Sequence, residues 1–130
     1  MAFRRHFSGG PFEAKVAYCR AVEADGWIFV SGSTGADPET GAMPESVVEQ
    51  CRNTLATVGR ALAEFGAGFG DVVRVTYLLP DRADFEPCWP VLREVFGEAP
   101  PAATMLEAGL IAPGMKIEIE VTARIPAKAP

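Results

Sequence analysis

Two glutamates in the segment 116–120, Lys-Ile-Glu-Ile-Glu, are the side chains of this sequence best spaced for acid–base chemistry. Glu118 and Glu120 lie two positions apart, so on a β-strand they face the same side with Cβ atoms about 7 Å apart. That spacing suits an acid and a base acting on one substrate. It equally suits an ion-pair network with Lys116, Arg124 or Arg74, and only a pocket would raise a carboxyl pKa usefully.

A second candidate is the glycine- and serine-rich segment 31–35, Ser-Gly-Ser-Thr-Gly. Glycine lets backbone amides approach a ligand closely, so this segment could cradle a carboxylate. The same composition is also typical of a simple turn. The pattern leaves both interpretations open.

Other common kinds of site are not expected. His6 is the sole histidine and has no partner at metal-ligand spacing, and the cysteines Cys19, Cys51 and Cys88 are widely separated and odd in number. The sequence therefore predicts no metal site and no disulfide framework, and it favours a reducing compartment such as the cytoplasm. No nucleotide-binding, serine hydrolase or zinc protease motif occurs, so no cofactor is expected.

Length and charge narrow the class of protein further. The 130 residues predict a single domain over 1–130, and the net charge of −5 disfavours a nucleic acid partner. No apolar run approaches the ~18 residues of a membrane span, and the basic start does not lead into an apolar signal-peptide core. We expect a cytoplasmic protein without a membrane partner.

Hydrophobic periodicity predicts the order β-β-α-β-α-β-β. Asp25-Gly26 predicts a hairpin between an extended run over 15–22 and a strand at 27–32. Apolar spacings of three and four predict a helix over 44–65 that Gly66 ends, with Pro44 and Glu45 in its first turn. A second helix over 84–96 contains Pro87 and Pro90, which predict a late start or a kink. The remaining strands are expected at 72–79, 104–108 and 115–125, and the tail from 126 is expected to be disordered.

Both helices are expected on one face of the sheet, because strand-helix-strand crossovers are nearly always right-handed. On strand 72–79, Val73, Val75, Tyr77 and Leu79 would then face the helices. The open face would carry Arg74, Thr76, Leu78, Lys116, Glu118, Glu120 and Thr122. This surface is too mixed for a monomer core, so we expect several subunits to join their open faces into a barrel-like assembly.

Several segments in the same order resemble the RidA/YjgF family of small imine deaminases. They are Ala-Tyr at 17–18, WIFVSG, ADPETG, DVVRVTYLLPDRADF and the terminal PPAAT…KIEIEV. The resemblance implies an α+β, chorismate-mutase-like protomer with a mixed sheet and two helices on one face. It also implies a homotrimer that binds a small-molecule ligand in three clefts between subunits.

The resemblance assigns roles to four residues. Glu118 matches the catalytic glutamate that positions a water, and Tyr18, Ser31 and Gly32 match residues that line the substrate pocket. Ala103 stands where the family has the arginine that binds the substrate carboxylate. Losing such a charge-assisted contact in a dry cleft costs about 2 to 5 kcal/mol, so the usual grip on 2-imino acids is expected to fail.

Two further positions depart from the family pattern. Trp89 replaces an asparagine of the second helix, and Met105 stands where a small residue or cysteine is usual. A replacement cation could come from Arg20, Arg74 or Arg124. The sequence thus leaves three functions open: a divergent enzyme that hydrolyses a C=N or related bond, a non-catalytic trimer that binds a small ligand, and a ribonuclease or translation inhibitor, which the acidity disfavours.

Overall fold

A six-stranded mixed sheet organises the chain, which a computed structural model describes over residues 2–126. The strands are β1 (Arg4–His6), β2 (Ala21–Ala24), β3 (Trp27–Thr34), β4 (Val72–Leu79), β5 (Ala102–Glu107) and β6 (Glu118–Arg124), and the helices are α1 (Pro11–Val16), α2 (Val47–Glu64) and α3 (Trp89–Phe96). The spatial order is β1-β2-β3-β6-β4-β5, with only β4 and β5 parallel. The expected order is confirmed, with β1 and α1 added. Most of the tail expected to be disordered lies outside the described residues.

The β2–β3 hairpin turns at Asp25 and Gly26, as the sequence predicts. Both residues have positive φ, 52° and 83°, which is the conformation of a type I′ turn. The preceding region differs from the prediction, because residues 11–16 form α1 and β2 begins only at Ala21. Pro11 fits the first turn of α1, where no backbone N–H is needed, and Ala17 ends it in the left-handed conformation with φ 67°.

Helix α2 is the long amphipathic helix that the periodicity predicts, but it begins later than expected. Ser46 caps it by accepting a hydrogen bond from the Glu49 N–H at 3.2 Å, so Pro44 and Glu45 lie before the helix. Gly66 follows its end with φ 77°. The predicted stripe is buried, and includes Val47, Cys51, Leu55, Val58 and Leu62.

Prolines set the start of the second predicted helix. Pro87 lies in a short 3₁₀ turn, Glu86–Cys88, and Pro90 lies in the first turn of α3. The late start is thus confirmed. Strand β6 is shorter than expected because Lys116 lies in the preceding loop, where its Nζ donates to the Glu45 carbonyl at 2.6 Å. Strand β5 runs from Ala102 to Glu107, two residues earlier than expected at its start.

One core joins α2 and α3 to a single face of the sheet, which fits the expected layering. Its sheet residues include Ile28, Val75, Ile119 and Val121, and Ile117 joins them from the position just before β6. Val73 was expected on this face, but it is 43% exposed. The pairing of β4 with β6 shifts between Val72 and Arg74, and this bulge turns Val73 outward.

Neither α2 nor α3 packs on the opposite, uncovered face of the sheet. Strand pairing arranges its side chains in rows, of which one contains Thr34, Glu118, Leu78 and Leu106, the next Glu120, Thr76 and Thr104, and the third Phe29, Thr122, Arg74 and Ala102. Within residues 2–126, no helix is long and apolar enough to cross a membrane. That same part of the chain brings no three His, Cys, Asp or Glu side chains together as a metal site.

Candidate functional site

Glu118 opens β6 on the uncovered face of the sheet. Its neighbours Ile117 and Ile119 are fully buried towards the helices, so the alternation of the strand turns the carboxylate the other way. The side chain is half-buried. Burial raises the pKa of Glu118 above its ordinary value, the charge of Glu120 raises it further, and Arg20 acts in the opposite direction.

A bulge in β3 brings backbone against this carboxylate. The register between β3 and β6 shifts between Val30 and Ser33, which places Ser31 and Gly32 in the irregular stretch. A Cβ on Gly32 would lie 2.4 Å from Oε2 of Glu118. Only glycine therefore fits here without moving the carboxylate.

Arg20 holds the other side of the bulge. Its Nη1 donates to the Gly32 carbonyl at 3.0 Å and to the Ser33 hydroxyl at 3.1 Å, and its Nη2 donates to the Tyr18 hydroxyl oxygen at 3.2 Å. Its guanidinium also lies 5.4 Å from the centre of the Tyr18 ring. Because Tyr18 accepts from Arg20, the hydroxyl hydrogen of Tyr18 must point away from the guanidinium.

A buried carboxylate from α1 balances the charge of Arg20. Oε2 of Glu13 lies 3.5 Å from Nη2 of Arg20, and the side chains are 3% and 10% exposed respectively. Ser8 donates its backbone N–H and its hydroxyl to the same carboxylate. Burial alone would raise the pKa of Glu13, but the Ser8 hydrogen bonds and the Arg20 charge outweigh burial and lower it.

The four residues assigned by the resemblance therefore belong to one connected region. Gly32 touches Glu118, and Arg20 links Gly32 to Tyr18. The Ser31 hydroxyl donates to the Cys19 carbonyl at 2.7 Å, so its hydrogen is already used within the protein. The sequence did not reveal Glu13 and Ser8, because no helix was predicted over residues 11–16 and the extended run was expected to begin at Lys15. The only signal was Pro11 followed by an acid in what would be a first helical turn.

Ala103 lies far from Glu118 within one subunit. Ala103 lies on β5 and pairs with Val75 of β4, whereas Glu118 lies on β6 and pairs with Leu78 of the same β4. Strands β5 and β6 are thus two strand spacings apart. The two positions differ by three residues along the strands, about 10 Å, and by two strand spacings, about another 10 Å. They also project to opposite faces. The two positions therefore cannot line one site within a single chain.

The other candidate arginines do not reach Glu118. Arg74 lies two rows away from Glu118 on the uncovered face, and its Nη1 donates to the Thr104 hydroxyl at 3.0 Å. The guanidinium of Arg124 lies 5.5 Å over the Trp27 ring, at the opposite end of β6. Among the three candidates, only Arg20 adjoins the Gly32 bulge.

Trp89 lies at the start of α3 and is 44% exposed. Its ring meets Phe85 edge-on at 6.2 Å, and Phe85 in turn packs on Tyr77 at 5.3 Å. Trp89 also borders an open apolar groove of about 300 Å³ that contains Leu92, Phe96 and Pro100. Part of this tryptophan thus anchors α3, and part is free to contact another molecule.

The amino-acid sequence is similar to those of a known protein family. The sequence profile of the family described as Endoribonuclease L-PSP matches residues 10–125. A RutC family protein of Pyrococcus abyssi is 36% identical over 107 residues, which cover 82% of this chain and 84% of that protein. The 2-iminobutanoate/2-iminopropanoate deaminase of Mus musculus is 34% identical over 107 residues, covering 82% and 79%.

The fold also matches solved structures of YjgF family proteins. A member of the YjgF family from Mycobacterium tuberculosis superposes with a TM-score of 0.86 at 32% identity, covering 95% of this chain and all of that one. The YjgF gene product of E. coli superposes with a TM-score of 0.76 at 30% identity, covering 82% and 87%.

Proposed function

The chain belongs to the RidA/YjgF family, also described as Endoribonuclease L-PSP, and from this premise we propose that it hydrolyses the C=N bond of a small imine or enamine. Glu118 is the proposed catalytic residue and positions the attacking water. Gly32 and Ser31 form the backbone wall beside it, and Tyr18 supplies a hydroxyl group. The 2-iminobutanoate/2-iminopropanoate deaminases among the relatives support this class of reaction.

The half-buried carboxylate of Glu118 is the observation that carries this proposal. Its raised pKa results from burial first and from the charge of Glu120 second. A carboxyl group whose pKa moves towards neutrality is a better general base, because proton transfer is most efficient when the catalytic pKa lies near the working pH. The absence of a side chain at Gly32 leaves room for the carboxylate beside the backbone.

The proposed reaction balances with water as the only co-reactant. The water oxygen bonds to the imine carbon, its proton passes to Glu118, and the π pair of the C=N bond moves to nitrogen. Glu118 returns this proton to nitrogen, which gives a carbinolamine. Glu118 then takes the hydroxyl proton and passes it to nitrogen as the C–N bond breaks and the C=O bond forms. The products are a carbonyl compound and ammonia, and the carboxylate is regenerated.

Assembly into a homotrimer is part of the proposal. The uncovered sheet face exposes apolar side chains, among them Phe29 at 49% and Trp27 at 41%, beside polar ones. Ala103 and Glu118 can share a cleft only across two subunits. The three free cysteines fit a reducing compartment such as the cytoplasm.

A second candidate function is binding of a small ligand without turnover. The half-exposed ring of Trp89 favours it, because an aromatic surface can stack on a ligand. Ala103 favours it too, since the position lacks a side chain that could grip a substrate carboxylate.

One experiment separates the two candidates. Imines with and without a carboxylate are generated in solution, and imine lifetime and protein unfolding temperature are measured at increasing ligand concentration. An enzyme shortens the imine lifetime in proportion to its concentration. A binder raises its unfolding temperature while the imine lifetime stays unchanged, and that result would reject hydrolysis.

A further inference from the structure

We propose that the substrate carries no carboxylate at the end that meets Glu118, and instead presents an uncharged or protonated imine with an apolar substituent. This inference rests on the proposed function and specifies the substrate class of the same site. Three features of the described residues support it: the charge beside Glu118, the commitment of Arg20, and the apolar row on the uncovered face.

The charge beside Glu118 is negative. Glu120 lies two residues along the same strand and on the same face. Burial is the larger cause that raises the pKa of Glu118, and the charge of Glu120 is the second. A substrate carboxylate would add a third negative group to a half-buried site. A protonated imine would instead be attracted by both glutamates.

Arg20 cannot neutralise a substrate carboxylate without breaking its own contacts. Its two terminal nitrogens already serve Tyr18, Gly32 and Ser33, and Glu13 balances its charge. Its Nε is buried and has no hydrogen-bond partner among the described residues. The Arg20 side chain is only 10% exposed, so this single inner nitrogen cannot form the two parallel hydrogen bonds with which an arginine binds a carboxylate.

Two leucines extend from Glu118 across the uncovered face. Leu78 pairs with Glu118 on one side and with Leu106 on the other, so the three side chains form a continuous row. Leu106 is 51% exposed. A hydrocarbon group on the imine carbon could lie along this row while the C=N bond meets the carboxylate.

Matched substrates test this inference on the unaltered protein. The imine of an aliphatic ketone is compared with the 2-imino acid that has the same hydrocarbon chain, and kcat/KM is measured for each by imine decay. We expect the carboxylate-free imine to be favoured by about tenfold or more. Equal or faster hydrolysis of the 2-imino acid would overturn the substrate class alone, whereas hydrolysis of neither would overturn the proposed function too.

A variant tests the leucine row. In the unaltered protein, each methylene of the substrate that is buried against Leu106 should raise kcat/KM by about fourfold, because it leaves water for an apolar contact. Leu106→Asn removes that apolar contact and should remove this gain. Val73→Asn is the matched control, since Val73 is a half-exposed apolar residue at the other end of β4. Thermal unfolding checks that both variants fold. An unchanged alkyl preference in a folded Leu106→Asn protein would contradict the assignment.

Discussion

Glu118 and Glu120 form a pair in which one carboxylate tunes the other. Burial is the larger cause of the raised pKa of Glu118, and the neighbouring charge of Glu120 adds to it. Glu120 is exposed and therefore keeps its hydration, whereas Glu118 stands half-buried against Gly32. The same residue type thus has two roles that depend on its surroundings.

Removal of the second charge should move the pH profile. Glu120→Gln removes a charge that raises the pKa of Glu118, so this pKa should fall. Glu118 then stays ionised, and active as a base, to lower pH. We expect the acid limb of kcat/KM to shift to lower pH while the plateau stays within a few-fold. Substitution of the distant, exposed Glu94 by Gln is the control. A shift to higher pH, or none, would show that Glu118 does not set this limb.

Local sequence signals predicted most elements, and the failures share a cause. The Asp25-Gly26 turn and the stripe of α2 depend on neighbouring residues only, so both were predicted from sequence. Helix α1 has six residues and β1 has three, lengths at which periodicity carries little information. Because α1 was not predicted, Glu13 was not recognised. The family resemblance assigned Glu118 and Gly32 to the candidate site, whereas the Glu13–Arg20 ion pair beside Gly32 depends on tertiary packing.

The Glu13–Arg20 ion pair should contribute to the free energy of unfolding. Arg20→Met leaves a buried Glu13 without its cation, which typically costs about 3 kcal/mol of unfolding free energy. The double variant Glu13→Gln with Arg20→Met should lose less than the sum of the single variants, because neither partner is then stranded. Urea unfolding of all four proteins measures this coupling. Additive losses would mean that the pair is not coupled in the folded protein.

At the scale of the whole molecule, the uncovered sheet face is the proposed contact between the subunits of a homotrimer. We expect a native mass of three times 13.9 kDa in sedimentation equilibrium. Thr76→Glu places a charge beside Glu120 in the middle of this face and should dissociate the assembly and abolish activity. Ala56→Glu adds the same charge on the exposed side of α2 and should change neither. A monomeric wild-type protein would contradict the proposed cleft between subunits.

The rate of imine decay at neutral pH, compared between the wild-type protein and Glu118→Gln, tests the central claim most directly. Loss of a general base should lower the enzymatic rate by about 10² to 10⁴-fold. Folding should not suffer, because a carboxyl with a raised pKa contributes stability at low pH and loses it as the pH rises through that pKa. The variant should therefore unfold at the same or a higher temperature. Equal rates for the two folded proteins would contradict the assignment of Glu118 as the base that activates water.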